Sequence, residues 1–510
     1  MILLEDYSQY LIKSTSTQAI IATAILVLAF IIGSVTEIHM GVLVISTLAL
    51  VGPLLYHDTI STLQSGWNTN LMFTLIGVTY LFALANNNGT VDWIVAMGVK
   101  AVAGKVAFFP FAMFLICAIL TAIGCATPAA AAILMPIALA FNRNNNINPI
   151  PMAQAVIQGA SAGSLSPLGV YGIIIKGVVD NKLYANADGT LLNQNFSPLV
   201  MWAVGFLIFL LVVVAVWILY PKPGPTEAEV AAAEKDESID LEGSADSLVD
   251  EEFGDFSGAA EFNAEIKLNG ERTATLFGII ALAAIIIVGS MYKTPLGVNL
   301  ANVDADGKVV AGWGGAGVKL LSFIDVGWTA LAIGAVLTLI FPKAAKGAVS
   351  QVAWPTLLLV CGIVTYISLL EKHGVVSWIG HMAAGIGNPV FTCIVIFFVA
   401  AFVSAYASTT GLFPILIPIS VPFIASKFAE DGVTIEPAVL SATMLLTALS
   451  VSASTVDCSP FSTNGALGVA NGAHQADYVY KGLFLTSWVT IIGTPIITWA
   501  LLILPPWGRV

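Results

Sequence analysis

Residues 454–468 read STVDCSPFSTNGALG. Asp457 is the one acid between residues 437 and 476, set among Ser, Thr and Asn and followed by Pro460. A carboxylate flanked by hydroxyls can ligate a hard cation or carry a proton. The pattern recurs at SAGSLSPLGVYG (161–172), with Ser, Ser-Pro and Gly in register and Ser164 standing where Asp457 stands. Two more polar interruptions, CATPAA (125–130) and ASTTGLFP (407–414), set Thr127 and Thr409 beside Pro or Gly. Pro and Gly stop helices, and Ser, Thr and Asn cap the halves. Half-helix N-termini attract anions, while unwound carbonyls attract Na⁺. None of the four stretches holds Lys or Arg. A proline kink would explain any one of them. Four in two symmetric pairs read as a binding site.

Such breaks need a setting that makes them costly. The chain has 510 residues, 57% hydrophobic and only 10% charged. Its apolar runs of about 18–25 residues have the length that crosses a hydrocarbon core as a helix. In lipid a helix satisfies its own backbone, so a break is tolerated only beside a cavity. A carboxylate at mid-membrane costs about 3 kcal/mol on insertion scales and is usually functional or paired. The expected fold class is an all-α polytopic membrane protein in the lipid bilayer. The N-terminus, MILLEDYSQY, has no basic n-region, so no cleavable signal peptide is expected.

Four elements recur in the same order after about 282–293 residues. GVTYLFALANNNGTVDWI (77–94) matches GIVTYISLLEKHGVVSWI (362–379), and ATPAAAAILMPI (126–137) matches STTGLFPILIPI (408–419). The 161–172 and 454–465 breaks form the third pair, and LYPKP (219–223) against LPPWG (504–508) the fourth. The expected organisation is therefore a first repeat over 1–220, a linker over 221–271 and a second repeat over 272–510. Crossings are expected at 18–33, 38–56, 70–86, 151–177 (broken) and 198–220. Their counterparts are 273–291, 318–341, 353–371, 436–476 (broken) and 483–504. The apolar stretches 106–141 and 389–427 are each too long for one crossing and are read as re-entrant hairpins; two full crossings each remain the alternative. Five crossings per half invert the second repeat. Charge agrees: the 342–352 loop carries Lys343 and Lys346, whereas its counterpart 57–69 carries no Lys or Arg. Inverted repeats of this kind mark secondary transporters.

The net charge of −12 belongs to the linker. Residues 221–271 hold fifteen acids and three lysines, which account for all of it. The linker reads as solvated and cytoplasmic, with Thr226 and Glu229 in capping-box spacing at the start of a short helix. The five cysteines have no CxxC pairing and read as buried thiols; the five histidines have no metal-site spacing. There is no HExxH, GxSxG or Walker A run, which argues against an enzyme. Nothing in the composition points to nucleic acid.

A hairpin ending in an ILMPI-type run and followed about 30 residues later by a Ser-Pro break, twice over, resembles the ion-transporter superfamily and its divalent-anion/sodium symporters. GASAGSLSPLGVYG and VDCSPFSTNGALGVANG look most like the malonate (dicarboxylate) carrier branch. Where those symporters carry Ser-Asn-Thr at each hairpin tip, this chain reads Ala126-Thr127-Pro128 and Ser408-Thr409-Thr410. The resemblance implies a homodimer, a scaffold and a transport domain, elevator-like alternating access, and a bacterial cytoplasmic (inner) membrane location. It implies symport of a small dicarboxylate or related anion with Na⁺, or with H⁺ as the alternative coupling ion. Substrate is then expected at Thr127, Ser166, Ser408, Thr409, Ser459, Thr463 and Asn464. One Na⁺ is expected at Thr127, Gly163 and Ser164, and another at Thr409, Val456 and Asp457. A Na⁺/H⁺ antiporter using Asp457 is the second reading of the same superfamily. A channel is the more distant one.

Overall fold

The computed structural model describes residues 16–36, 38–101, 108–145, 147–179, 196–225, 268–293, 325–375, 389–406, 409–424, 427–428, 435–436 and 441–506. The first half runs α1 (Ser16–Val35), α2 (Met40–Tyr56), α3 (Ile60–Ser65), α4 (Thr69–Asn87), α5 (Thr90–Ala101), α6 (Phe109–Ala122), α7 (Thr127–Asn145), α8 (Pro149–Ser164), α9 (Val170–Val179) and α10 (Pro198–Leu219). The second runs α11 (Gly270–Lys293), α12 (Val326–Ile340), α13 (Pro342–Ala345), α14 (Trp354–Lys372), α15 (Pro389–Ser404), α16 (Thr409–Ile424), α17 (Ala442–Ser454), α18 (Thr463–Ala470) and α19 (Ala476–Thr498). Two-residue strands, Lys427–Phe428 and Ile435–Glu436, pair antiparallel after α16. Most of the linker, residues 226–267, lies outside the described residues, and its predicted capping box with it.

Among the described residues four helices are long and apolar enough to cross a membrane: Thr69–Asn87, Pro198–Leu219, Trp354–Lys372 and the continuous run Ala473–Ile503. Their starts are written in the sequence. Asn68 accepts from the Leu71 N–H at 3.0 Å and caps α4, while Ser197 caps α10 ahead of Pro198. The expected hairpins are helix pairs. α6 and α7 meet at a turn where Gly124 takes φ +105°, a conformation that favours glycine. α15 ends at Ser404 and α16 begins at Thr409, and residues 407–408 lie outside the described set. α6 has 14 residues, about 21 Å of rise, short of the roughly 30 Å of a hydrocarbon core. The 12-residue α5 and the four-residue α13 were not among the expected elements. α5 carries a polar first turn at Asp92 and no long apolar run, so hydropathy passes over it.

Elements in the two halves follow the same order: a hairpin, a helix, a break, a short helix and a long exit helix. The halves also exchange partners. α4 packs on α12 and α14 on α2; α9 packs on α16 and α18 on α7. The centre is α8 with α17. Every residue of α8 is buried, and so is all of α17 except Met444. α8 lies almost backbone to backbone on α6. A Cβ at Gly159 would stand 2.4 Å from the Phe114 carbonyl oxygen, and one at Gly163 1.9 Å from that of Ala118. Small residues four apart allow this approach.

Candidate functional site

Both breaks are real interruptions. α8 ends at Ser164 and α9 begins at Val170; α17 ends at Ser454 and α18 begins at Thr463, with a 3₁₀ turn over Thr455–Cys458 between. The freed backbone is paid back by hydroxyls. Ser166 Oγ accepts from the Gly169 N–H at 2.8 Å and donates to the Ala122 carbonyl at 2.8 Å, so the first break is tied to the end of α6. Ser164 Oγ accepts from the Tyr171 N–H at 3.1 Å. In the second break Ser462 Oγ donates to the Asp457 carbonyl at 2.5 Å and accepts from the Gly465 N–H at 3.1 Å, which caps α18. Gly465 must be glycine, because a Cβ would sit 2.0 Å from the Ser459 carbonyl oxygen.

The Asp457 side chain is buried and takes three hydroxyl donors. Thr409 Oγ1 donates to Oδ1 at 2.5 Å, the Tyr171 hydroxyl to Oδ2 at 2.8 Å, and Ser161 Oγ to Oδ2 at 3.3 Å. Since each hydroxyl has one proton, the neighbours must donate in turn. Ser404 Oγ donates to Thr409 Oγ1 at 2.7 Å, and Thr127 Oγ1 to the Tyr171 oxygen at 3.4 Å. Two short relays therefore converge on one carboxylate, Thr127 to Tyr171 and Ser404 to Thr409. They join both hairpin tips and both breaks. The Tyr171 ring is held edge-on to Phe413 of α16, with centroids 5.3 Å apart.

Of the expected residues, Thr127, Thr409 and Asp457 meet in this cluster, and Ser164 reaches it through Tyr171. Gly163 stands at the α6 contact, and its carbonyl already accepts from the Ser166 N–H at 2.9 Å. The Val456 carbonyl likewise accepts from the Ser459 N–H at 2.9 Å. Ser166 and Ser459 are buried within their breaks, where Ser459 Oγ accepts from the Phe461 N–H at 3.3 Å. Asn464 is buried with its Oδ1 unbonded. Thr463 is exposed and outside the cluster. Ser408 lies outside the described residues.

Sequence reading missed Tyr171, Ser161, Ser404 and Gln158. Gln158, one turn before Ser161, donates to the Thr455 carbonyl at 2.8 Å and to Gln154 at 3.0 Å, which leaves its buried Oε1 unbonded. The repeat alignment held a signal for Tyr171: it stands where the second half has Asn464, a position already chosen. Among the described residues no group of three or more His, Cys, Asp and Glu is placed to hold a metal ion.

Residues 16–164 match the family of the dicarboxylate carrier protein MatC N-terminus, and residues 309–509 match the citrate transporter family. No curated protein matches the chain at the sequence level. MtrF of Neisseria gonorrhoeae, described with a class of antimetabolite efflux pumps, aligns over 99% of this chain and 99% of its own, with TM-score 0.55 and 12% identity, a likeness of fold alone. The YdaH transporter of Alcanivorax borkumensis aligns over 88% of each chain with TM-score 0.46 and 13% identity. Both matched families are carriers, not enzymes. Over those two stretches, 16–164 and 309–509, the chain is similar to dicarboxylate and citrate carriers, and its apolar helices and fold agree with a membrane transporter.

Proposed function

We propose that the chain is a Na⁺-coupled symporter that carries small dicarboxylates by elevator-type alternating access, as a homodimer in a bacterial cytoplasmic membrane. The carrying observation is the convergence of Thr127, Tyr171, Thr409 and Asp457 from both hairpins and both breaks. The four breaks contain no Lys or Arg. Countercharge for a dianion must then come from bound cations and from the N-termini of half-helices. Asp457 supplies negative charge for a cation, and hydroxyl oxygens are hard donors suited to Na⁺. Asn464 fits the same scheme: its unbonded Oδ1 is an acceptor and faces a cation better than a carboxylate, while its amide N–H groups can serve the anion.

The partner exchange between halves, α4 on α12 against α2 on α14, supports an inverted repeat. In this reading those two pairs form the scaffold and the hairpins and breaks move against it. The family matches favour an anion carrier over a Na⁺/H⁺ antiporter. Uptake of labelled malonate and succinate into proteoliposomes tests the proposal. An inward Na⁺ gradient should drive accumulation, and replacing Na⁺ by K⁺ should abolish it. Uptake driven equally by a proton gradient in K⁺ would overturn Na⁺ coupling, and absence of dicarboxylate uptake under either gradient would overturn the substrate class.

A further inference from the structure

Gln158 carries a buried oxygen that no group of the Asp457 cluster uses. Counting protons along a chain of amides fixes which way it points. Thr486 Oγ1 of α19 donates to the carbonyls of Gly482 and Leu483 at 2.9 and 3.0 Å. Its one proton is thereby engaged, and it can only accept from Gln154 Nε2 at 2.8 Å. Gln154 Oε1 is then turned to Gln158, which donates to it at 3.0 Å and to the Thr455 carbonyl at 2.8 Å. Exchanging the oxygen and nitrogen of Gln158 would set oxygen against oxygen at both contacts. The side chain is fully buried, and Oε1 has no partner. A buried amide oxygen without a donor calls for a water or an ion.

Ser161, one turn further along α8, is the second under-used oxygen. Its contacts to the Ser454 carbonyl and to Asp457 Oδ2 are both 3.3 Å. Normal O–H···O bonds span about 2.5–3.0 Å, and one proton cannot serve both acceptors fully. Thr409 and Tyr171 hold the same carboxylate at 2.5 and 2.8 Å. Asp457 is therefore bound tightly from α16 and α9 and loosely from α8. Gln158 abuts the same place: the Thr455 carbonyl that it holds belongs to the 3₁₀ turn that carries Asp457. The backbone oxygens expected to ligate a cation are engaged instead. Those of Gly163 and Val456 accept from the N–H groups of Ser166 and Ser459, each at 2.9 Å. What α8 offers Asp457 is an amide oxygen and a hydroxyl, both hard neutral donors, beside a carboxylate whose three donors are neutral.

We propose that Gln158 Oε1, Ser161 Oγ and Asp457 Oδ2 are ligands of one small hard cation, held between α8 and the 3₁₀ turn of the second break. That the ion is Na⁺ rests on the symport reading above; the ligand set does not. The test is the melting temperature of the purified full chain against Na⁺ concentration, with N-methylglucamine keeping the ionic strength constant. The wild type should melt higher as Na⁺ rises, because an ion bound only by the folded state stabilises it. Gln158→Leu has no side-chain oxygen and should raise the half-saturating Na⁺ concentration about tenfold. Ser161→Ala should raise it too, and this smaller change carries the test if Gln158→Leu does not fold. Gln158→Glu keeps an oxygen at the same reach and should hold the wild-type value or lower it. Gln154→Leu removes a support of the amide but none of the three ligands, and should leave the curve in place. Wild-type curves in both Gln158→Leu and Ser161→Ala would mean that a water alone fills the gap, and would overturn the site. A Gln158→Glu curve matching that of Gln158→Leu would overturn it as well, because the amide would then only clamp the turn. A Na⁺ response weakened by Asp457→Asn but by neither α8 variant sinks the ligand set and spares the symport reading. A wild type that Na⁺ does not stabilise sinks Na⁺ coupling and the site together. The expected variant effects without any dicarboxylate uptake would keep the cation site and sink the symport reading.

Discussion

Asp457 accepts Thr409, Tyr171 and Ser161, and each donor has a single proton to give. The carboxylate is thus held by neutral groups that can turn a lone pair to a cation without leaving it. Asp457→Asn keeps size and one oxygen but removes the charge. Apparent Na⁺ affinity should fall about tenfold, equivalent to about 1.4 kcal/mol, and saturating Na⁺ should restore most uptake. Substrate affinity should follow only as far as it depends on Na⁺, because coupling between sites is reciprocal. Tyr171→Phe removes one hydrogen bond to a charged acceptor, a loss of about 1.5–3 kcal/mol. It should shift Na⁺ activation in the same direction, and the double variant should be no worse than Asp457→Asn, since Tyr171 acts through the carboxylate. Additive losses would separate the two. Asp457 was legible in the sequence because an acid in an apolar segment has few innocent explanations. Tyr171 was legible only through its alignment with Asn464, because an aromatic in VYGIII is more often core. Ser161 and Ser404 were hidden by abundance, because small hydroxyls recur throughout these helices.

The helices place these residues through close backbone contacts, and those contacts carry their own consequences. At Gly163 an added methyl would meet the Ala118 carbonyl oxygen at 1.9 Å. Gly163→Ala should destabilise by about 1–3 kcal/mol, the usual range for overpacking. Gly493 on α19 has nothing within 4 Å of its would-be Cβ, so Gly493→Ala should leave the melting temperature in detergent unchanged or raise it slightly. Equal melting of the two variants would remove the packing account. A different contact joins α2 to α14. Asp58, just beyond α2, pairs with Lys372 at 2.8 Å and His373 at 2.6 Å, and Tyr56 stacks on His373 at 4.0 Å. Burial pushes the Asp58 pKa up, but the Lys372 and His373 hydrogen bonds and charges outweigh it and hold the carboxyl below its ordinary 3.8. A depressed pKa gives stability that is full above the ordinary value and lost as pH falls through the lowered one. Melting should therefore drop on acidification below 3.8, and Asp58→Asn should flatten that limb. At this scale the sequence announced the breaks and most helix limits to within a few residues, since Pro, Gly and capping side chains are local signals; α12 and α19 start at Val326 and Ala476, away from the expected 318 and 483. The Asp58 pair spans 314 residues of chain, and no local pattern foretells such a contact.

Over the whole molecule, two halves of one pattern exchange partners around α8 and α17. Their order was legible because four motifs recur collinearly. Their mutual packing was not, because hydropathy reports burial without naming what does the burying. Orientation across the bilayer rests on charge. The segment before α14 carries Lys343 and Lys346, and both lysines are exposed. The equivalent segment before α4 has no Lys or Arg. Basic residues in short loops favour the cytoplasmic side, so an inverted pair of repeats should put these two loops on opposite faces. Lys346 and Gln64 are both exposed, and neither belongs to the Asp457 cluster. In cells, Lys346→Cys should react with an impermeant thiol reagent only after permeabilisation, and Gln64→Cys should react in intact cells. The buried native cysteines keep the background low. If both positions label from one face, the halves are parallel, and reciprocal packing would have to arise without a two-fold axis in the membrane plane. The elevator reading would fall with it, because matched inward and outward states follow from two halves that trade places.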